Sequence, residues 1–166
     1  MTRRVQKKTL MNVELEIQRA TTSTNTPDDE QFQLWVDAVP SELARISKCT
    51  IRIVDEEEAR RFNRDYRNRD YATNVLSFRA ELPDNLPVEI RQCQLGDILI
   101  CAPVVVRESL EQQRPEADHW AHLTIHGVLH LLGHDHEQPD EADVMESLEI
   151  EILRKLGVSD PYIDIT

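Results

Sequence analysis

The sequence predicts an α+β fold in which a four-stranded mixed sheet packs with about five helices. Before residue 103, four short segments have strand-like patterns, and after it apolar residues recur at helical spacing. The order of these elements lacks regular strand and helix alternation, which is typical of α+β proteins. A chain of 166 residues, 40% of them hydrophobic, can bury one ordinary core. We therefore expect residues 1–166 to form a single domain.

Four segments are predicted strands. VELEIQ places Val13, Leu15 and Ile17 at alternate positions, which indicates a strand with one buried face. CTIRIVD repeats this pattern through Ile51 and Ile53. The other two strands are the apolar, β-branched runs NVLSF and LGDILIC. The two prolines of ELPDNLPVEIRQCQ predict a loop between them.

The first helix is predicted to follow the polar stretch TTSTNTPDDE. Thr26 is the expected N-cap, Pro27 occupies the first helical position, and Pro40 limits the helix. Between these limits, apolar residues recur at helical spacing: Phe32, Trp35, Val36 and Val39.

Four more helices are predicted along the chain. DEEEARRFNRDYR carries its acids at the N-terminal end, where the helix dipole favours them. VVVRESLEQQ and EADHWAHLTIHGVLHLL follow the last strand. DEADVMESLEIEILRKLG forms the final helix, which Gly157 ends. Its expected buried stripe consists of Val144, Leu148, Ile152 and Leu156.

The charge distribution limits the possible functions. A formal net charge of −12 argues against a protein that coats nucleic acid by bulk electrostatic attraction. Residues 60–69 nevertheless carry five arginines, whereas residues 135–151 contain eight acids and no Lys or Arg. The sequence therefore predicts a surface with separate basic and acidic parts.

The N-terminal sequence and the cysteines predict a cytoplasmic protein. MTRRVQKK is separated from VELEIQ only by TLMN, without the apolar run of a signal peptide or a membrane span. Cys49, Cys93 and Cys101 are odd in number and widely spaced. We expect reduced, buried thiols rather than disulfides or a sulfur-ligated metal.

The stretch HGVLHLLGHDH predicts a metal site. His126 and His130 lie four residues apart, so on a helix both imidazoles reach one ion. Gly133 allows the left-handed backbone that ends a helix, and the turn brings His136 back toward the same ion. Three neutral imidazoles with an open fourth position are the ligand set of a catalytic zinc site.

The remaining histidines are weaker candidates. His122 and His130 are separated by about 12 Å along the helix axis, which is too far for one ion. His119 lies further up the same helix face, and His122 is therefore interpreted as a packing residue or as a partner of a ligand. His134 points away from the pair, and the neighbouring Asp135 is a candidate to orient a ligand imidazole.

The histidine spacing is similar to that of the metzincin peptidases, which have a glutamate directly after the first histidine as general base. Here that position is Gly127, which has no side chain to accept a proton from water. Peptide hydrolysis is therefore disfavoured.

The whole string HGVLHLLGHDH resembles the signature of the YbeY family of bacterial endoribonucleases. DYRNRDYATNVLSF, LGDILIC, QFQLWVDAV and DPYI also resemble that family, so the similarity extends over nearly the whole chain. Two positions differ: His134 stands where an aromatic residue is common, and Arg79 stands where proline is usual.

This resemblance implies a zincin-like central helix against a four-stranded sheet. It also implies one divalent metal ion, with Zn²⁺ as the expected metal, bound by His126, His130 and His136. It implies cleavage of single-stranded RNA during ribosomal RNA maturation, at the 3′ end of the small-subunit RNA, and in ribosome quality control. Arg67 corresponds to the arginine important for catalysis in the family. The implied partners are RNA, the small ribosomal subunit with its proteins, and a GTPase of the Era type, with neither DNA nor a membrane.

A mechanistic hypothesis follows from these residues. The ion lowers the pKa of bound water from about 15.7 toward about 7, so that no glutamate base is needed. The planar guanidinium of Arg67 holds two phosphoryl oxygens as negative charge accumulates on them. Attack by hydroxide and attack by a 2′-hydroxyl are both compatible with these residues. Tyr66 and Tyr71 are either base-stacking faces or ordinary packing.

Two other functions remain open at this point. The chain is alternatively a ribosome-assembly factor without catalysis, whose metal is structural, or a metallohydrolase of another class. The acidic segment DEADVMESLEIE is most simply a solvated helix face. Alternatively, it confines RNA to the basic side or meets a basic ribosomal protein.

Overall fold

The computed structural model describes residues 13–40, 47–91, 93–134 and 137–163. Within these ranges it contains four strands and six helices, in the order β1 (Val13–Ala20), α1 (Asp29–Asp37), β2 (Ser47–Val54), α2 (Glu56–Arg67), β3 (Val75–Arg79), α3 (Val88–Arg91), β4 (Gln94–Cys101), α4 (Ala102–Glu111), α5 (Glu116–Leu131) and α6 (Pro139–Lys155). The four predicted strands and the five predicted helices are confirmed. The short helix α3 lies in the segment predicted to be a loop.

The strands form one mixed sheet in the order β1-β2-β4-β3. β1, β2 and β4 are parallel, and β3 pairs with β4 in antiparallel orientation. The central strand β4 is buried on both faces: Ile98 and Ile100 belong to the larger core, and Leu99 and Cys101 belong to a smaller core under α2. The predicted α+β class is confirmed.

Helix α5 lies against the larger core and contacts β3, β4, α1, α4 and α6. Ten of its sixteen residues are buried. A helix that is apolar around most of its circumference belongs in the interior, because each face needs an apolar neighbour. The predicted central helix against the sheet is confirmed.

Gly127 is a point of close contact between α5 and the sheet. A Cβ atom at this position would lie 3.0 Å from Cγ2 of Ile98 and 3.2 Å from Oγ of Ser77. The Ser77 hydroxyl also donates a hydrogen bond to the Gly127 carbonyl at 3.1 Å. The structure therefore gives a packing reason for glycine after the first histidine, since a glutamate side chain there would collide with β3 and β4.

The predicted start of α1 is wrong. The N-cap is Asp28, whose carboxylate accepts from the Gln31 backbone N–H at 2.8 Å, while the Gln31 side chain accepts from the Asp28 N–H at 3.1 Å. This reciprocal capping box satisfies two backbone donors, which Thr26 as the cap would not do. Pro27 lies before the helix, and its carbonyl accepts from Arg19 at 2.7 Å.

The predicted buried stripe of α6 is wrong at one end. Val144 is 55% exposed, whereas Leu148 and Leu156 are partly buried against the larger core. The inward face is shifted by about one residue, because α6 packs on α5 through a face that includes Met145. The buried residues of this face are Met145, Glu149, Ile152 and Leu153.

Cys49 and Cys101 are buried thiols, as predicted, whereas Cys93 is partly exposed. Burial and the charge of Asp97 raise the pKa of Cys49 to about 12, and burial raises that of Cys101 to about 11. Both therefore remain protonated near neutral pH and are poor nucleophiles. In the described ranges, no helix combines the length and the apolar character needed to cross a membrane.

Candidate metal centre and cleft

His126 and His130 project from successive turns of α5 and face each other. Their Nε2 atoms are 3.0 Å apart, and their ring centroids are 4.6 Å apart. Two nitrogens bound to one tetrahedral zinc ion are separated by about 3.3 Å, since each lies about 2.0–2.1 Å from the metal. The pair therefore has nearly the spacing that one ion requires. The third predicted ligand, His136, and its neighbour Asp135 lie outside the described residues.

Helix α5 ends just before Gly133, as the sequence predicts. Gly133 has a φ of 104°, which glycine adopts without strain, and the His134 N–H donates to the Leu129 carbonyl at 3.0 Å. The Arg79 guanidinium adds a cap, since its Nε donates to the His130 carbonyl at 3.1 Å. The arginine at the position where proline was expected thus supports the turn that carries His130.

Glu149 lies behind the histidine pair and is fully buried. Its Oε1 is 2.5 Å from Nδ1 of His126, and its Oε2 is 3.0 Å from Nε2 of His122. The Tyr162 hydroxyl donates a second hydrogen bond to Oε2. His126 therefore contacts the Glu149 carboxylate through one ring nitrogen and faces His130 with the other.

The surroundings of Glu149 keep it ionised. Burial alone would raise its pKa, but hydrogen bonds from His122, His126 and Tyr162 outweigh this effect and lower it to about 2. Burial and the adjacent carboxylate raise the pKa of Tyr162 above its ordinary value. At neutral pH the buried group is therefore a carboxylate that accepts hydrogen bonds.

His122, His126 and Glu149 also form a group that could hold a metal ion. One potential ligand atom from each residue lies within 4.8 Å of the others. Sequence reasoning assigned Glu149 to a solvated acidic face, and this prediction is wrong for that residue. The sequence did contain a sign that Glu149 is buried: it lies four residues after Met145 and three before Ile152, on the apolar face of α6.

A polar cleft of about 340 Å³ opens beside the histidine pair. Its lining includes the histidine pair of α5 together with Arg67, Arg69 and Tyr71. Arg67 ends α2, and the left-handed Asn68, with a φ of 57°, turns the chain so that the following residues also reach the cleft. The rest of the lining comes from α2, the segment before β3 and β3 itself: Asn63, Thr73, Asn74, Val75, Leu76 and Ser77.

Three of the five arginines in residues 60–69 are paired with acids on the surface. Their partners are Asp70 for Arg60, Glu58 for Arg61 and Asp65 for Arg64. By contrast, no carboxylate in the described part of the chain lies within 4.0 Å of Arg67 or Arg69. These two guanidinium groups therefore give the cleft a positive wall in a chain of net charge −12.

Of the two tyrosines predicted as candidates for base stacking, only Tyr71 lies in the cleft. Tyr71 lines the cleft and is 52% exposed. The Tyr66 ring is exposed on its outer side and packs against Phe62 and Phe78, with centroid distances of 5.8 and 5.2 Å. Tyr66 is thus part of an aromatic cluster and does not belong to the cleft lining.

His119 and His134 are not brought to the histidine pair. Buried His119 is 3.0 Å from Glu108, which also accepts a hydrogen bond from the cleft residue Asn74 at 2.9 Å. Burial raises the pKa of Glu108, but the hydrogen bonds from His119 and Asn74 lower it overall. His134 lies in a separate surface pocket with Asp140, Glu141 and Val144.

The fold and the site define a class: an α+β protein whose central helix presents paired histidines to a cleft with a basic wall. The chain matches the family model described as "Endoribonuclease YbeY" over residues 14–157. It is 56% identical to the endoribonuclease YbeY of Halorhodospira halophila over 83% of this chain and 89% of that protein. It is 52% identical to that of Pseudomonas putida over 92% and 94% of the two chains. The chain therefore belongs to the endoribonuclease YbeY family.

A solved structure has a similar fold. The solution structure of TM1509 from Thermotoga maritima superposes with a TM-score of 0.53 and 21% sequence identity, over 89% of this chain and 99% of that chain. This likeness supports the arrangement of the sheet and helices.

Proposed function

We propose that this chain is a metal-dependent endoribonuclease that cleaves single-stranded RNA. One observation carries the proposal: the histidine pair of α5 and the guanidinium groups of Arg67 and Arg69 line the same cleft. Its relatives in Halorhodospira halophila and Pseudomonas putida carry the name endoribonuclease YbeY. Family membership and the chemistry of the cleft thus support the same activity.

The proposed metal ligands are His126, His130 and His136. The donor set of the described pair fits a borderline-soft ion such as Zn²⁺, since imidazole nitrogens at this spacing suit tetrahedral coordination. Three protein ligands leave a coordination position for water or substrate. When bound, a divalent ion there supplies Lewis-acid activation of water and charge for the phosphoryl oxygens.

Arg67 is the proposed residue that holds the phosphodiester. Its planar guanidinium can donate two parallel hydrogen bonds to phosphoryl oxygens, and this contact strengthens as negative charge develops on them. No acid in the described ranges competes for it. Arg69 adds a second positive charge on the same wall.

The residues that line the cleft support a single-stranded substrate. Tyr71 exposes half of its surface beside Arg69, and an unpaired base can stack on such a ring. Bases in a duplex are already stacked on each other and do not offer a free face. The acidic surface of α6 disfavours binding of RNA to that helix.

We further propose the cellular role that the family implies. The chain acts in the cytoplasm as a single domain, in maturation of the 3′ end of the small-subunit ribosomal RNA and in ribosome quality control. Its partners there are the small ribosomal subunit with its proteins and a GTPase of the Era type. The match to the YbeY family model over residues 14–157 supports this role.

The test is cleavage of a single-stranded ribosomal RNA fragment by the purified full chain, compared with His130→Ala. We expect the wild-type protein to cut the fragment, and chelation of metal to stop cleavage until zinc is restored. His130→Ala should lose at least about 1,000-fold in rate while keeping a native circular dichroism spectrum. The fragment ends identify the nucleophile, because a 2′,3′-cyclic phosphate requires attack by the 2′-hydroxyl.

Two results would reject the proposal. Equal cleavage by wild type and His130→Ala would mean that the metal site is not used. A metal-loaded wild type that binds the small ribosomal subunit but never cuts RNA would identify a non-catalytic assembly factor instead.

A further inference from the structure

We propose that Glu149, held by His122 and Tyr162, positions His126 as a metal ligand. This inference rests on the proposed metal site at His126 and His130 and assigns it a supporting residue on another helix. Glu149 is a positioning residue in this role, since it acts on the ion through the imidazole of His126.

The burial of Glu149 is the first observation. Its carboxylate is fully buried, and no Lys or Arg in the described ranges lies within 4.0 Å of it. Removing a carboxylate from water is costly, and an apolar residue of similar volume is often equally or more stabilising at such a position. Packing alone therefore does not account for an acid here, whereas its hydrogen bonds to two histidines do.

The geometry at His126 is the second observation. Oε1 of Glu149 lies 2.5 Å from Nδ1, so the proton of the neutral imidazole is held on Nδ1. Nε2 then carries the lone pair, and it is directed toward Nε2 of His130 at 3.0 Å. A carboxylate contact of this kind fixes the tautomer and the ring orientation of a metal-binding histidine and raises its basicity.

The other carboxylate oxygen explains why Glu149 is itself held in place. Oε2 is contacted by Nε2 of His122 at 3.0 Å and by the Tyr162 hydroxyl. Because these groups engage Oε2, the carboxylate is held with Oε1 toward His126. The network thus ties α6 and the segment after it to the helix that bears the histidine pair.

A direct-ligand role for Glu149 is the main rival. His122, His126 and Glu149 together could hold an ion. In that arrangement His126 would bind through the ring side that faces Glu149, whereas its Nε2 faces His130. The two roles differ in one consequence: His130 is essential to zinc binding in the first and dispensable in the second.

The experiment measures zinc affinity of the full chain by competition with a chromophoric chelator. The variant is Glu149→Gln, which keeps the shape but removes the charge, and the matched control is Glu151→Gln, an exposed acid two residues further along α6. We expect zinc affinity to fall about 10- to 100-fold in Glu149→Gln and to change less than about twofold in the control. Circular dichroism and thermal unfolding verify that both variants are folded.

A spectroscopic readout separates positioning from a merely structural effect. With saturating Co²⁺ in place of zinc, the visible ligand-field bands report the geometry of the ligands. We expect these bands to shift in folded Glu149→Gln and to match wild type in Glu151→Gln. Wild-type zinc affinity together with wild-type cobalt bands in Glu149→Gln would overturn the inference.

Tyr162→Phe provides a second variant, because Tyr162 is 43% exposed and its loss leaves Glu149 in place. We expect zinc affinity to fall in the same direction, by about two- to tenfold, since one of the two contacts to Oε2 is removed. If Glu149→Gln does not fold, the zinc affinity and cobalt bands of Tyr162→Phe and His122→Gln test the inference instead. Unchanged zinc affinity and cobalt bands in both would overturn the inference.

The remaining outcomes separate this inference from the proposed function. If His130→Ala retains zinc while Glu149→Gln and His122→Ala lose it completely, Glu149 is a ligand and the positioning role is overturned, whatever the RNA assay gives. A wild-type protein that binds no zinc also overturns it, even if that protein cleaves RNA. If zinc affinity depends on Glu149 as expected but no RNA is cut, the positioning role stands and the nuclease proposal fails.

Discussion

Helices α2 and α6 each carry eight charged side chains but use them differently. In α2 every charged residue is exposed or partly exposed, and several pair with each other or with nearby acids on the surface. In α6 one acid, Glu149, is fully buried against two histidines of α5. The two helices therefore have the same number of charged side chains but contribute to the site in different ways.

This difference indicates which charged residues are candidates for a functional role. A charge with a surface partner contributes little, because water and salt already screen it. Arg67 has no acidic partner in the described ranges and lines the cleft, and Glu149 is buried with histidine partners. The functional candidates on both helices are thus residues whose surroundings differ from those of their charged neighbours.

The largest expected effect concerns the inward face of α6. Met145→Ala should lower the free energy of unfolding by about 2–5 kcal/mol, because Met145 is 1% exposed and its removal leaves a cavity. The adjacent Val144→Ala should change it by less than about 0.5 kcal/mol, since Val144 is 55% exposed. Urea unfolding of both variants measures the two values. Similar losses would mean that the face of α6 is oriented differently.

The next effect concerns the cleft end of α2. Arg67→Ala should lower kcat for RNA cleavage by about 10²–10³-fold, because a donor to the developing phosphoryl charge is lost. The control is Arg64→Ala, one turn earlier, whose guanidinium pairs with Asp65 outside the cleft. Single-turnover cleavage rates at saturating protein provide the comparison. Equal rates for the two variants would remove Arg67 from the mechanism.

The buried acid of α6 predicts a pH dependence of stability. Because the pKa of Glu149 is lowered from 4.5 to about 2 in the folded protein, its stabilisation is complete above about pH 4.5 and is lost as the pH falls through about 2. The stability advantage of wild type over Glu149→Gln should therefore shrink by up to about 3 kcal/mol between pH 5 and pH 2. Thermal unfolding with a chelator present measures it. An advantage that is constant over this range would contradict the ionised, hydrogen-bonded carboxylate.

The smallest effect concerns an ion pair of α2. Glu58 accepts hydrogen bonds from Nη2 and Nε of Arg52 at 2.8 and 3.0 Å and so joins α2 to β2. Glu58→Gln should lower the free energy of unfolding by at most about 1 kcal/mol and leave RNA cleavage unchanged. A loss of activity in this variant would show that α2 positions Arg67 through this contact.

Much of the fold and part of the site could be predicted from sequence. The alternation in VELEIQ and CTIRIVD, the spacing of His126 and His130, and the stop at Gly133 all follow from the geometry of a single segment. The start of α1 was harder, because Thr26 and Asp28 are both good caps. Asp28 is the N-cap because Gln31 completes its capping box.

Tertiary structure decided the rest, because burial and long-range contacts depend on which segments pack together. Glu149 lies 23 residues from His126 in the sequence, and only the packing of α6 on α5 joins them. Gly127 packs closely against Ile98 and Ser77 on two strands. This packing explains why glycine, and not the glutamate of a peptidase, occupies the position after the first histidine. Arg67 and the histidine pair line one cleft because α2 and α5 both pack against the sheet. Local patterns determine which elements form, whereas the environment of each polar side chain is set by its neighbours in space.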